Sequence, residues 1–544
     1  MPRMRRTSSR LVAVLIFGMA ALATARAQAL PSFAELEAAG ARIGEIRISP
    51  RNIFDTGNPS EDKPLFRLAN SLHVVTRPEV ILRALLFASG EPVSARVIEE
   101  TERLLRANRY VYDVQIRPMA VRDGLVDVEV LTRDTWSIDP GVSFGRAGGA
   151  NHSALHLREY NLLGTGVTLG VARSSNVDRR TTEYGLSADR LFGTWGSVDL
   201  AHASSDDGRR YSASVVRPFN EIDARWAAGV SISDDDRIDS VYNAGQAQSQ
   251  FRRRERRAEL FAGWSSGLVE GWAQRYTVGF TRVEDGNAAE PGRTAPAVLP
   301  QDQTLLVPFV RYELLEDRYE RQFNRNLIGR PEFFALGLNV QAQVGVASRS
   351  AGSTRSAWLY SGSVSRGFRP AAGRTLMASA RLQGELSDGA ARRQQAGVAA
   401  QYYQPQGPRR LFYAAAAADM LMRPDPASRL ELGGDNGLRG YPLRYQAGTR
   451  SVLLTAEQRI YTDFFLWQLF RFGGVAFVDV GRAWGGQAGT VTHTPWLADV
   501  GAGLRIVSVR SAFSNVLHVD LATPLNAPAG VSKLQLLVKT KASF

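Results

Sequence analysis

The chain contains no cysteine, so a disulfide framework, a thiolate nucleophile and a thiolate metal site are all closed to it. Histidine is almost as scarce. His73, His152, His156, His202, His493 and His518 are the whole set, and they form no HExxH arrangement, so the zinc chemistry that such spacing supports is not in view. No metal and no other cofactor is expected. The third absence is of long apolar runs. After the N-terminal leader none reaches the roughly 20 residues that a helix needs to cross a bilayer. Two classes stay open: a soluble exported protein, or a barrel, whose strands cross a membrane with alternating residues alone.

The leader is read from "MPRMRRTSSR", the apolar "LVAVLIFGMAALATA" and the small-residue site "AQA" at 27–29, which together place a signal peptide over 1–29 with cleavage after Ala29. Arg3, Arg5, Arg6, Arg10 and Arg26 belong to it, so their removal takes the formal net charge from +13 to +8, with no concentrated basic block. Nucleic acid is not expected as a partner.

From 40 to 135 the pattern is mixed. "IGEIRISP" at 43–50 reads as a strand. "RPEVILRALLFASG" and "ARVIEETERLLRANR" carry apolar residues at helical spacing, and "YVYDVQIRP" and "GLVDVEVLTRD" alternate. A small α+β domain of two helices and three strands follows. From 140 to 544 the chain becomes a series of short alternating pieces such as "VTLGVARSS", "SVDLAHASS" and "TLMASARLQG", separated by Gly, Ser, Asp and Asn. That length suits a sheet closed on itself, because an open edge cannot stay unpaired in lipid. Sixteen to nineteen strand candidates can be counted, and the reading adopted is membrane all-β: a transmembrane antiparallel β-barrel of sixteen strands. The charged run at 311–330 reads as a strand continuing into a solvated surface loop, and "GNAAEPGRTAPAVLPQD" at 286–302 as a long extracellular loop.

Several motifs then fall into an order. The strand, helix, helix, strand, strand succession resembles a POTRA domain, the periplasmic polypeptide-transport-associated module. "LRGY" at 438–441, "FVDVG" at 477–481, "YNLLGTG" at 160–166 and the terminal amphipathic "KLQLLVKTKASF" resemble motifs of the Omp85 superfamily of bacterial surface antigens. The resemblance implies an outer-membrane barrel of a Gram-negative bacterium with its N-terminal domain in the periplasm. It also implies that the loop carrying Arg439, Gly440 and Tyr441 folds back into the lumen, and that Phe544 ends an insertion signal read by the barrel assembly machinery.

Strand parity supplies a partner for that loop. Phe477 and Asp479 share one face and Ala476, Val478 and Val480 the other, so with the valines toward lipid Asp479 points inward, where Arg439 can meet it. Gly440 would permit close approach, Tyr441 would pack beside Phe477, and Gly481 completes the strand motif. On "LLTAEQRIY", Glu457 and Arg459 share a face and suggest a second lumen ion pair.

No enzyme is expected. "GWSSG" at 263–267 matches GxSxG around Ser265, but its flanks read as two strands joined by a turn and not as a strand–turn–helix elbow; neither His202 nor His518 is spaced to serve it. The function implied is outer-membrane protein assembly or polypeptide translocation through the POTRA-like module and the barrel seam or lumen. Transport or assembly of lipid or another envelope component is the alternative, and a barrel-embedded lipase a minor one. Partners would be outer-membrane lipids and a client polypeptide or periplasmic bridge protein.

Overall fold

In the computed structural model of the chain the described residues are 30–147, 150–190, 195–243, 245–387, 390–425, 428–434, 436–467, 469–486, 494–508, 516–528 and 530–541; the leader at 1–29 and Phe544 lie outside them. The N-terminal part contains α1 (Phe33–Ala38), β1 (Arg42–Arg51), α2 (Pro64–Leu72), α3 (Pro78–Leu82), α4 (Ala95–Ala107), β2 (Val111–Arg122) and β3 (Leu125–Asp134). Its sheet has the order β1-β3-β2, with β1 parallel and β2 antiparallel to β3. Ile43, Ile81, Ile98, Leu105, Val114 and Val128 fill the space between sheet and helices.

Within 40–135 there are three helices, not two, and α1 precedes that span. α1 starts at a capping box in which Ser32 and Glu35 satisfy each other's backbone N–H groups. α2 and α3 each begin with a proline in the first turn. The apolar spacing of "RPEVILRALLFASG" predicts a longer helix than α3, which ends at Leu82 with Arg83 as its C-cap.

Twenty strands, from Ile138–Ala147 to Gln535–Lys541, form a closed antiparallel barrel among the described residues. Sixteen was too few. The shortfall has a visible cause in stretches such as "SISDDDRIDSVYN" and "QSQFRRRERRAEL", which belong to the strands Trp226–Asn243 and Gln246–Val269. In their far halves both faces are polar, and ion pairs such as Arg254–Asp234 (2.8 Å) and Arg253–Asp285 (3.2 Å) hold them, so the alternation that identifies a half-buried strand is missing.

Closure is uneven. The first strand pairs with the second along its full length, from Ile138↔Glu159 to Ala147↔Ala150. Among the described residues the last strand meets the first at Leu536↔Arg146, Leu537↔Gly145 and Val538↔Phe144. Outward positions carry exposed large apolar side chains, among them Leu155, Leu260, Trp264, Val310, Val478 and Leu521, the pattern of a wall that a bilayer covers.

The "YNLLGTG" segment joins the two parts. Asn161 donates from Nδ2 to Thr76 Oγ1 (2.8 Å) and accepts from the Gly166 N–H (2.8 Å), while buried Asp134 accepts from the Thr76 N–H (2.7 Å). Gly164 has φ 74°, and a Cβ there would lie 2.6 Å from the Val75 carbonyl oxygen, so the turn needs glycine for both backbone and space.

Candidate functional site in the barrel lumen

Two insertions enter the lumen from opposite ends. At the end away from the N-terminal domain, the connection between Arg410–Met422 and Arg450–Leu466 carries the short pair Leu430–Leu432 and Gln446–Gly448, and between them the "LRGY" stretch. This is the strap. At the near end, the connection between Gln303–Glu316 and Asn339–Ala347 forms a hairpin, Tyr319–Phe323 with Pro331–Ala335.

Arg439 is the centre of the strap's attachment. Its Nε and Nη2 donate to the two oxygens of Asp479 at 2.6 and 2.9 Å, and its Nη1 donates to Glu457 Oε1 at 3.0 Å. The guanidinium also lies 3.4 Å from the Phe477 ring centroid. A fork-to-fork contact over an aromatic face suits arginine and no other side chain. Asp479 itself accepts from Thr455 Oγ1 (2.8 Å), its cross-strand partner. Arg439, Glu457, Arg459 and Asp479 are all buried.

Gly440 fits because nothing larger would: a Cβ there would stand 2.6 Å from Asp499 Cβ and 3.0 Å from the Pro524 nitrogen. Gly481 is less tightly enclosed: a Cβ there would lie 3.1 Å from the Val452 carbonyl oxygen and 3.3 Å from Cδ1 of the strap's Leu432. Tyr441 is fully buried, but in a different place from the one parity suggested. It packs with Leu438, Ala483 and Leu497, and its hydroxyl lies 2.6 Å from Asn526 Oδ1 and 3.1 Å from the Ala498 carbonyl oxygen. The side chain beside Phe477 is Arg439, and the hydroxyl's need for polar partners draws Tyr441 to the next strands.

The second arginine of the stretch reaches across the barrel. Arg444 donates from Nη1 and Nη2 to Asp178 at 3.1 and 2.6 Å, lies 4.5 Å from the Tyr242 ring centroid, and Tyr242 donates to the same carboxylate at 2.6 Å. Asp178 belongs to the turn after the third strand and Tyr242 to the seventh, whereas Asp479 is on the seventeenth. The loop is therefore tied to two separate parts of the wall.

The charged run at 311–330 is not a solvated surface. It enters the hairpin, whose tip residue Ile328 is buried against Tyr403, Leu411, Tyr461 and Val475 on the inner wall. Arg459 Nη1 donates to the Arg325 carbonyl oxygen (2.8 Å) and Nε to Glu457 Oε2 (2.9 Å). Glu332 accepts from the N–H groups of Arg325, Asn326 and Leu327 at 3.2 Å or less. The polar side chains satisfy the hairpin's own backbone, so a charged sequence can be buried. A chain of contacts runs from Arg439 through Glu457 and Arg459 to Arg325, linking strap and hairpin.

Sequence reading did not reach Thr455, Asp499, Arg505, Asp520 or the hairpin. Arg505 pairs with Asp520, and Asp520 Oδ2 lies 3.8 Å from Arg439. Asp499 stands directly across the sheet from Asp479, and neither of its oxygens has a hydrogen-bond partner among the described residues. The parity that selected Asp479 applies equally to these positions. Ser265 is in the strand Gln246–Val269, which turns back into Trp272–Ala289, so no helix follows it; His202 stacks on Tyr211 (4.5 Å) on the outward parity. Among the described residues no three His, Asp or Glu side chains are grouped to hold a metal.

No family model matches the chain, and no curated protein does. Among solved structures it is similar to BamA from Haemophilus ducreyi lacking POTRA domains 1–3, at 14% identity and TM-score 0.40, over 92% of this chain and 85% of that one. It is similar to CdiB from Escherichia coli at 15% identity and TM-score 0.48, over 92% and 76%, and to CdiB from Acinetobacter baumannii at 12% and 0.41, over 92% and 73%.

Proposed function

We propose that the protein assembles or translocates polypeptides at the outer membrane, with the seam between its first and last strands as the working edge. The observation that carries this reading is a seam of three registered pairs among the described residues, in a barrel whose lumen is entered from both ends. A lumen holding both a strap and a hairpin is a poor conduit. A strand edge with few hydrogen bonds to break is a good template, because an incoming chain can add to it by main-chain pairing.

In this reading the chain is an Omp85-like protein, with a signal peptide at 1–29, a POTRA-like periplasmic module at 40–135 and a barrel at 140–544. Arg439, Gly440 and Tyr441 with Phe477, Asp479 and Gly481 hold the strap, and the Glu457–Arg459 pair passes the hold on to the hairpin. Phe544 ends the signal read by the barrel assembly machinery. The edge strand β2 offers a first pairing surface for a client.

Site-specific photo-crosslinking in living cells tests it, with probes at Val121 on β2 and Leu536 on the last strand, which are 39% and 41% exposed. Recovery of exported or outer-membrane polypeptides as transient partners supports the proposal. Recovery of lipid alone, or of a stable periplasmic bridge protein with no client, overturns it in favour of transport of lipid or another envelope component.

A further inference from the structure

Between β1 and α3 the chain makes an excursion, residues 52–77, that the three-stranded sheet does not require. Its helix α2 has a wide apolar arc. At 100° per residue, Phe66 and Ala69 adjoin a stripe formed by Leu65, Leu68 and Leu72, with Arg67, Asn70 and Ser71 on the opposite side. Only half of that arc is covered. Phe66 stacks on Phe54 with ring centroids 4.1 Å apart, and this pair with Ile53 packs against Trp136 and Leu469. Leu65, Leu68 and Leu72 are left 56%, 54% and 65% exposed.

What lies beside the covered half identifies what covers the other. Leu469 is in the turn between the sixteenth and seventeenth barrel strands. In the same turn region Trp467 and Phe464 are 65% and 60% exposed, and Phe464 stacks obliquely on Phe472 at 5.3 Å on the outward side of the wall. Aromatic side chains at the ends of outward-apolar strands mark the level where a barrel leaves the hydrocarbon. α2 is fixed to that level through Leu469, and Lys63 and Arg77 flank its segment.

We propose that α2 lies in the boundary of the leaflet on the N-terminal domain's side, with Leu65, Leu68 and Leu72 in the acyl chains, and so holds that domain against the membrane surface. An interfacial helix of this kind needs an apolar stripe and a polar back, both of which are present. The proposal rests on the barrel's spanning a membrane.

The absence of native cysteine makes the test direct. Three single variants, Leu68→Cys, Arg67→Cys and Val478→Cys, are labelled with an environment-sensitive fluorophore in the full chain reconstituted into phosphatidylethanolamine/phosphatidylglycerol vesicles with or without acyl-chain bromination. The expected result is quenching at positions 478 and 68, with that at 68 about twofold or more above that at 67. Quenching at 478 but equal, weak quenching at 67 and 68 overturns the interfacial helix and leaves the membrane barrel standing. Absence of quenching at all three overturns the barrel's membrane placement, and the proposal with it.

Discussion

Arg439 is held by two carboxylates and an aromatic face, so its removal leaves charge behind as well as a gap. In Arg439→Ala the buried Asp479 loses its guanidinium, keeping only Thr455, while Glu457 keeps Arg459, and breaking a buried pair from one side costs about 3–5 kcal/mol. Arg439→Lys should recover little, because an ammonium cannot make the paired contact with Asp479. The expected outcome for both is a barrel that still migrates as a heat-modifiable folded band, a strap that becomes open to added protease, and lost activity; an intact strap in the lysine variant would show that charge alone suffices. The strap's other anchor carries a pH prediction. Burial alone would push the Asp178 carboxyl up, but the hydrogen bonds from Arg444 and Tyr242 and the charges of Arg444 and Arg179 hold it below the usual carboxylate range. A carboxyl lowered by folding stabilises above its unfolded value, about 3.9, and loses that contribution as pH falls through the lower folded value. Spin labels at Leu443→Cys and Val177→Cys should therefore keep one distance from about pH 8 to about pH 5 and separate only in stronger acid. The alternation in "FVDVG" was enough to put Phe477 and Asp479 on one face. Nothing in "LRGY" indicates that Tyr441 packs toward Asn526 and not Phe477, because that choice depends on Ala498 and Asn526, 57 and 85 residues further along.

At the scale of elements, the barrel is filled by two insertions of opposite origin that meet through Arg459. The hairpin's hold on the lumen rests on Ile328 and its apolar neighbours, so Ile328→Asp should expel it, a buried unpaired charge being among the few single changes that cost several kcal/mol. The expected result in planar bilayers is a severalfold rise in conductance with the heat-modifiable fold retained. Unchanged conductance would mean that the strap alone seals the pore. Arg459→Ala removes the contact shared by the strap and the hairpin and should raise conductance less, since Ile328 still packs. Elements of this kind were the least legible in the sequence. "RYERQFNRNLIGR" has the composition of a surface, and only the closed lumen around it lets backbone and wall satisfy its charges; "PLFRLANSL" is a helix too short for periodicity to separate from its surroundings. The barrel strands were legible wherever one face met lipid, and became illegible in the far halves of the seventh to ninth strands, where ion pairs replace the apolar face.

For the whole molecule, the unequal pairing around the barrel decides where it can open. Parting a pair registered over ten or more residues exposes a long row of N–H and C=O groups, whereas among the described residues the seam is joined at three positions. If the seam is the working edge, fixing it should stop the work without disturbing the fold. Gly145→Cys with Leu537→Cys places two thiols on registered partners, whose Cα separation of about 4.5–5.5 Å falls within the range a disulfide spans. The control is Val478→Cys with Val500→Cys, a registered outward pair on the seventeenth and eighteenth strands. With no native cysteine to interfere, each pair can be oxidised and reduced in the same sample. Oxidation of the seam pair should abolish client insertion or export and reduction should restore it, while the control pair works in both states and both proteins keep the heat-modifiable band. Full activity of the oxidised seam pair would show that the first and last strands need not part, and would move the work to the lumen, where the strap and hairpin would then have to clear a path.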